Sequence, residues 1–167
     1  EAMEGETRIA ERTDRAGNGR LRFTGLQLRN PQGEPVISAV AGDPIELVLT
    51  YKTDGKPISA ATVLIWFRDA FGKGLLSLNT GLNGQDFENL APEGRLVCRI
   101  PRFPLRMGKY YLDLGADVQG VKADLLLRAA VIDVLGGTFY PTGKEPRHPN
   151  DGDLLCDHTW YTDGRLG

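Results

Sequence analysis

Near the end of the chain His148, Cys156, Asp157 and His158 bring four metal-binding side-chain types into one stretch. Structural zinc sites use a few close, repeated spacings such as CxxC. None occurs here, so these side chains read as ordinary surface groups and no metal is expected. Upstream, Gly137 and Gly143 followed by Lys144 imitate a phosphate loop. That loop needs four residues between its glycines and a hydroxyl after the lysine. Here five residues intervene and Glu145 follows, a carboxylate that repels phosphate and cannot hold magnesium. No nucleotide or other cofactor is expected. Asp113 and Asp117 could form a glycosidase acid pair, but carboxylates at strand ends are common and usually solvated. No serine sits in a nucleophile motif, so catalysis is not expected.

A different chemistry is available from "ATVLIWFRD" and "KYYLDLG". Successive side chains of a strand point to opposite faces. If Val63, Ile65 and Phe67 face a core, then Leu64, Trp66 and Arg68 face away. If Tyr110, Leu112 and Leu114 face the core, Tyr111 and Asp113 face away. In one sheet these strands would show Trp66, Arg68, Tyr111 and Asp113 together on the outer side. Aromatic rings cover the C–H faces of pyranoses, and Arg and Asp bind hydroxyls in forked pairs. These four residues are the candidate carbohydrate-binding site. A packing role competes. Large aromatics are mostly buried, sandwiches commonly hold a core tryptophan, and Val63, Ile65 and Phe67 would then face a second layer or a dimer interface. Both readings of Trp66 stay open on sequence. So do two readings of Tyr111, a sugar platform or a surface covered by a partner.

The elements that must carry these residues are strands. From Arg20 onward, short alternating runs are separated by Gly, Pro, Asn and Asp. "LRFTGLQLRN" slips phase around Gly25, which predicts a bulge. "IELVLTYK" alternates cleanly, with Ile45, Leu47, Leu49 and Tyr51 on one side. "VISAV", "LLSLNT", "RLVCRI", the stretch Ala130 to Leu135 and a final "LLCDHTWY" complete the set. Many short strands with regular turn signals and no long amphipathic helix predict an all-β antiparallel sandwich or barrel. Residues 19–167 are assigned to it. Residues 1–18 are polar, without a helical stripe, and read as a linker or tail. The long Pro/Gly loop from Gly136 to Asp153 would let the last strand pack on a second copy, because strand exchange is a low-cost route to dimers.

Composition limits the partners. A net charge of −2 gives no electrostatic case for nucleic acid or an anionic membrane. No apolar run approaches the roughly 20 residues that span a bilayer. Cys98 and Cys156 are too few for a disulfide scaffold and read as free, buried thiols in a reducing compartment. The chain starts at Glu1, without a signal-peptide pattern, and reads as a piece of a longer protein.

The order of motifs is itself informative: "GNGRLRFTGLQLRNPQGEP", "AGDPIELVLTYK", "ATVLIWFRDAFGKGLLSLNT", "GRLVCRIPRFPLRMGKYYLDLGAD", "DLLLRAAVIDVLGG", then "LLCDHTW". From Gly17 to Trp160 the sequence resembles the C-terminal carbohydrate-binding domain of the Wzt family, the ATP-binding subunits of ABC transporters that export O-antigen polysaccharide. The resemblance implies an immunoglobulin-like antiparallel β-sandwich, dimeric through an exchanged C-terminal strand. It implies non-catalytic recognition of the modified non-reducing end of a lipid-linked glycan in the cytoplasm, at the inner face of the inner membrane. It also implies a nucleotide-binding domain before Glu1 and a membrane subunit as partners. The family supplies no residue-level sugar motif, so the site residues rest on the face argument. A structural or dimerisation module without a glycan ligand is the alternative.

Overall fold

The computed structural model describes residues 6–164. Ten strands run through them: β1 (Thr7–Arg8), β2 (Leu21–Arg29), β3 (Pro35–Val36), β4 (Ser38–Val40), β5 (Ile45–Thr53), β6 (Ala61–Arg68), β7 (Gly74–Asn79), β8 (Glu93–Ile100), β9 (Gly108–Val118) and β10 (Val121–Leu135). The first sheet has the order β1-β2-β5-β8, with β3 also on β2; the second has the order β4-β10-β9-β6-β7. All neighbours are antiparallel except β4 and β10. The fold is the expected all-β sandwich. The one helical turn among the described residues is a 3-10 turn, Pro149–Asp151, and no helix there is long and apolar enough to cross a membrane.

Alternation builds the core. Ile45, Leu47, Leu49 and Tyr51 of β5 face Val63, Ile65 and Phe67 of β6 and Tyr110, Leu112 and Leu114 of β9, all buried. In β2 the pairing with β5 slips between Phe23 and Gly25. The slip brings Leu26 inward after Leu21 and Phe23, as the broken phase predicts. The neighbouring tyrosines of β9 part company. Tyr110 is buried and donates its hydroxyl to the Arg106 carbonyl at 2.7 Å, while Tyr111 turns outward. Burial, with the negative charge of Asp153 next, pushes the Tyr110 phenol up to about 12.

Four expectations change. "VISAV" is not one strand: β3 joins the first sheet and β4 the second. Val36 packs on the core and Ala39 is buried three residues later. A continuous strand of period two cannot turn both inward, so Ile37 is thrown out where the chain changes sheets. "LLCDHTWY" is not a strand within one chain; Leu154 bridges Leu105, and no pairing follows up to Gly164. Cys98 is half-buried, and burial raises its thiol above the ordinary value, but Cys156 is exposed rather than buried.

Residues 6–18, expected as linker or tail, are packed onto the sandwich; residues 1–5 of that stretch lie outside the described residues. β1 pairs with β2, Ile9 is buried, and Ala16 bridges Leu125 of β10. Gly17 is required at φ +111, since a side chain there would sit 2.3 Å from the Ala123 carbonyl oxygen. The seat is fixed by Arg15. Its Nε and Nη2 donate to Asp124 of β10 at 2.9 and 2.6 Å, and Nη2 also reaches the Phe23 carbonyl at 2.8 Å. The Phe23 amide donates to the same carboxylate at 2.9 Å. With side-chain exposures of 5% and 0%, the pair is out of water, and removing one partner strands the other charge.

Asp124→Ala is expected to cost about 3–5 kcal/mol in urea unfolding. A cost below about 1 kcal/mol would mean that Asp124 does not anchor the two sheets. A pH effect is expected on the other side of the molecule. The Glu46 carboxyl is held below its ordinary value mainly by its hydrogen bond with Arg29, at 2.8 Å, against the opposing effect of burial, with Arg99 adding to the lowering. A lowered folded value stabilises above the unfolded value near 4.5 and is lost as pH falls through the folded one. Stability measured from neutral to acid pH should therefore fall less steeply in Glu46→Gln than in wild type.

Candidate functional site

β6 and β9 are hydrogen-bonded neighbours with Trp66 opposite Asp113 and Arg68 opposite Tyr111. The register thus places all four candidate residues on the outward side of the second sheet. Trp66, Arg68 and Tyr111 are half-buried, each with part of its side chain open to solvent. The indole lies across β9 above Gly115, where an added side chain would meet two carbons of the six-membered ring at 3.0 Å. A glycine inside a strand often marks such a close approach. The indole N–H makes no hydrogen bond among the described residues.

Asp113 lies beneath this surface rather than on it. It is 2% exposed. One oxygen accepts from Arg68 Nε at 2.5 Å and the other from the Arg128 amide at 2.8 Å. Arg68 also donates Nη1 to the Gly72 carbonyl at 3.2 Å, tying the β6–β7 hairpin to the face. Asp113 therefore orients donors, and groups that can meet a ligand are the rest of Arg68, the indole N–H and the Tyr111 hydroxyl.

Arg128 is the residue that sequence reasoning missed. The β9–β10 pairing slips between Leu126 and Ala130, and Arg128 takes φ +49 in that bulge. Its guanidinium lies 4.4 Å from the centre of the Tyr111 ring, a cation–π contact, and makes no ion pair among the described residues. The available signal was the run Leu125 to Leu127, which breaks period-two alternation.

A separate concavity lies elsewhere. A cleft of about 650 Å³ opens between the edge strands β7 and β8, floored by core residues such as Leu49, Ile65 and Leu96. Much of its polar rim is engaged within the loop that follows β7. Asn79 accepts the amides of Gly81 and Leu82, Thr80 donates to Asp86, and Asn83 donates to Gln85. The outward face has less depth but two aromatic surfaces with uncommitted donors, so it is the better candidate for a polar ring ligand. His148 accepts the Asn150 amide and caps the 3-10 turn, while His158 contacts the Cys156 carbonyl. No group of metal-binding side chains converges among the described residues.

The sequence matches the Wzt C-terminal domain over residues 12–148. The chain belongs to the Wzt C-terminal domain family. The family is associated with O-antigen ABC transporters. Among solved structures, the crystal structure of the C-terminal domain of wzt is similar over 93% of each chain, with 15% identity and a TM-score of 0.69. At that identity the likeness shows the fold alone. A Niemann-Pick type C2 protein from Japanese carpenter ant is more remote, at 7% identity and a TM-score of 0.45 over 72% of this chain and 97% of the other. No curated protein matches the sequence.

Within this family domain, Gly115 is the position on which the tryptophan's posture depends. Gly115→Ala should lift the indole, shifting Trp emission to longer wavelength and costing about 1–3 kcal/mol through overpacking. An unchanged spectrum together with unchanged stability would mean that the ring does not rest on β9.

Proposed function

We propose that this chain is a non-catalytic module that binds the non-reducing terminal region of an O-antigen polysaccharide and couples that recognition to export by an ABC transporter. The observation that carries the reading is the outward face of the second sheet. Trp66 and Tyr111 offer ring surfaces there beside the donors of Arg68, and Asp113 fixes those donors from below. Sugars need this combination: apolar contact for their C–H faces and directed hydrogen bonds for their hydroxyls. Family membership supplies the transporter context. In that context the domain works in the cytoplasm at the inner face of the inner membrane, with a nucleotide-binding domain and a membrane subunit as partners.

The module also acts as a homodimer. From residue 156 to residue 164 the backbone is without strand pairing, and Trp160 and Tyr161 are 89% and 87% exposed. Large exposed aromatics on an unpaired segment suit exchange onto a second copy of the chain. A purely structural dimerisation module is the second reading. It is favoured by Val131, opposite Tyr111, and by Leu135 further along the outward side of β10, both apolar and half exposed.

Calorimetric titration with the cognate O-polysaccharide separates the two. Trp66→Ala and Tyr111→Ala should each weaken binding about tenfold to a hundredfold, the equivalent of about 1.5–3 kcal/mol for one large side chain. Unchanged affinity in both would remove the site from this face. A folded wild-type dimer that binds no terminal glycan structure would leave the structural module as the function.

A further inference from the structure

The N-terminal arm touches the same bulge that holds Arg128. Arg12 donates Nη2 to the Leu127 carbonyl at 2.9 Å and Nη1 to the Arg128 carbonyl at 3.1 Å. Asp14 aims it by accepting Nε and Nη2 at 2.9 Å each. From the other side Asp113 accepts the Arg128 amide. One strained residue, in a backbone region that L side chains rarely adopt, is thus clamped between an arm residue and a residue of the face. The same Asp113 holds Arg68, and the Arg128 side chain lies on Tyr111. The chain of contacts runs from Arg12 through the bulge to Arg68 and Tyr111, two of the candidate ligand-binding side chains, without a gap.

The arm is suited to respond. Arg15 pins its middle in the core and donates Nη1 to the Ile9 and Arg12 carbonyls, while the stretch from Glu6 to Arg12 is also held by a two-residue strand, Ile9, the Thr50 hydroxyl donating to Glu6, and the Arg12 contacts at the surface. Local units with few buried contacts open most readily. Coupling between two sites requires a shared element that both bias, and it is reciprocal. The bulge at Leu127–Ala129 meets that requirement.

We propose that residues 6–12 and the Trp66–Tyr111 face form one coupled unit, in which Arg12 is a positioning residue. A ligand that fixes Arg68 and Arg128 tightens the arm, and a released arm loosens the face. The ligand half of this statement rests on the glycan reading above; the mechanical half does not.

Hydrogen exchange on the full chain tests the mechanical half without a ligand. In Arg12→Ala the Arg128 amide should exchange at least tenfold faster, while amides of β5 and β6 keep wild-type rates. Arg12→Lys, which retains a donor, should recover part of the protection. In the reverse direction, Asp113→Ala should speed exchange at the amides of Ile9 and Arg12, which bond to the carbonyls of Thr24 and Ile9. If Asp113→Ala does not fold, Arg68→Ala serves, since it removes the partner that holds Asp113. Unchanged Arg128 exchange in Arg12→Ala overturns the proposal, as does an unchanged arm in the reverse variants. With the cognate O-polysaccharide bound, the Ile9 amide should slow at least threefold. Binding with no change in the arm overturns the coupling and leaves the glycan reading intact. Absence of binding defeats the glycan reading and leaves the coupling to the ligand-free pair.

Discussion

A carboxylate with no exposure must be paired or protonated, and Asp124 is paired three times over. It belongs to β10 of the second sheet, accepts the main chain of Phe23 in the first, and takes the forked guanidinium of Arg15 from the arm. Other polar links at this end run from the segment that enters β2, with the Asn18 and Gly19 amides on β10 and Arg20 on Gln119, but Asp124 alone among them is a buried charge. Hydrophobic packing fixes the separation of two sheets but tolerates sliding and repacking. A bidentate ion pair out of water does not tolerate displacement, because either charge left alone is costly. The pair thus sets where β10 sits over β2 and where the arm crosses the edge.

The arrangement of β10 follows from this. Ala16, Asn18 and Gly19 hydrogen-bond along its free edge near Asp124, and β4 covers the edge at its other end. An open edge strand invites pairing with other chains, and here it is closed by two unrelated segments. Between them lies the bulge that carries Arg128. The site and the scaffold therefore share one strand. Asp124 on its inner side secures the arm, and the kink a few residues on delivers an amide to Asp113 and a guanidinium to Tyr111.

Much of this was legible because strands report their faces through a period of two. Ile45 to Tyr51 alternate cleanly, so their inward side could be read directly, whereas Val63 to Phe67 are apolar throughout and their inward side, like that of Tyr110 to Leu114, was an assumption of the period of two that the structure bears out. The outward partners Trp66, Arg68, Tyr111 and Asp113 followed by exclusion. The slip at Gly25 was visible for the same reason. What failed to show was any feature that depends on a distant partner. Arg15 looks like one more charge in a polar tail until Asp124 is found opposite it. Asp113 looks like a surface carboxylate until Arg68 and a backbone amide cover it. "VISAV" reads as one short strand in the text but changes sheets, because its neighbours on the two sides lie in different layers. The final "LLCDHTWY" has the composition of a strand and no partner within one chain, which composition cannot report.

The division between what the sequence pattern carries and what it does not also explains how the fold is kept where the sequence is not. At 15% identity the sandwich is retained, because its core asks only for apolar side chains of suitable size at alternate positions. The outward face is under no such demand. Its residues are held by pairwise contacts, such as Arg68 with Asp113 and Trp66 with Gly115, that another chain can replace without disturbing the core. If the ligand proposed above seats on this face, its chemistry is set by the groups that stand there. Asp113 lies below the surface with both oxygens engaged, an indole N–H and two guanidinium groups stand around the rings, and Asp117 and Asp133 lie further along the same outward side. A ligand seated here would meet aromatic carbon, these donors and the two outlying carboxylates. A sugar answers both kinds of group, because its ring and hydroxyl oxygens accept and its hydroxyls donate.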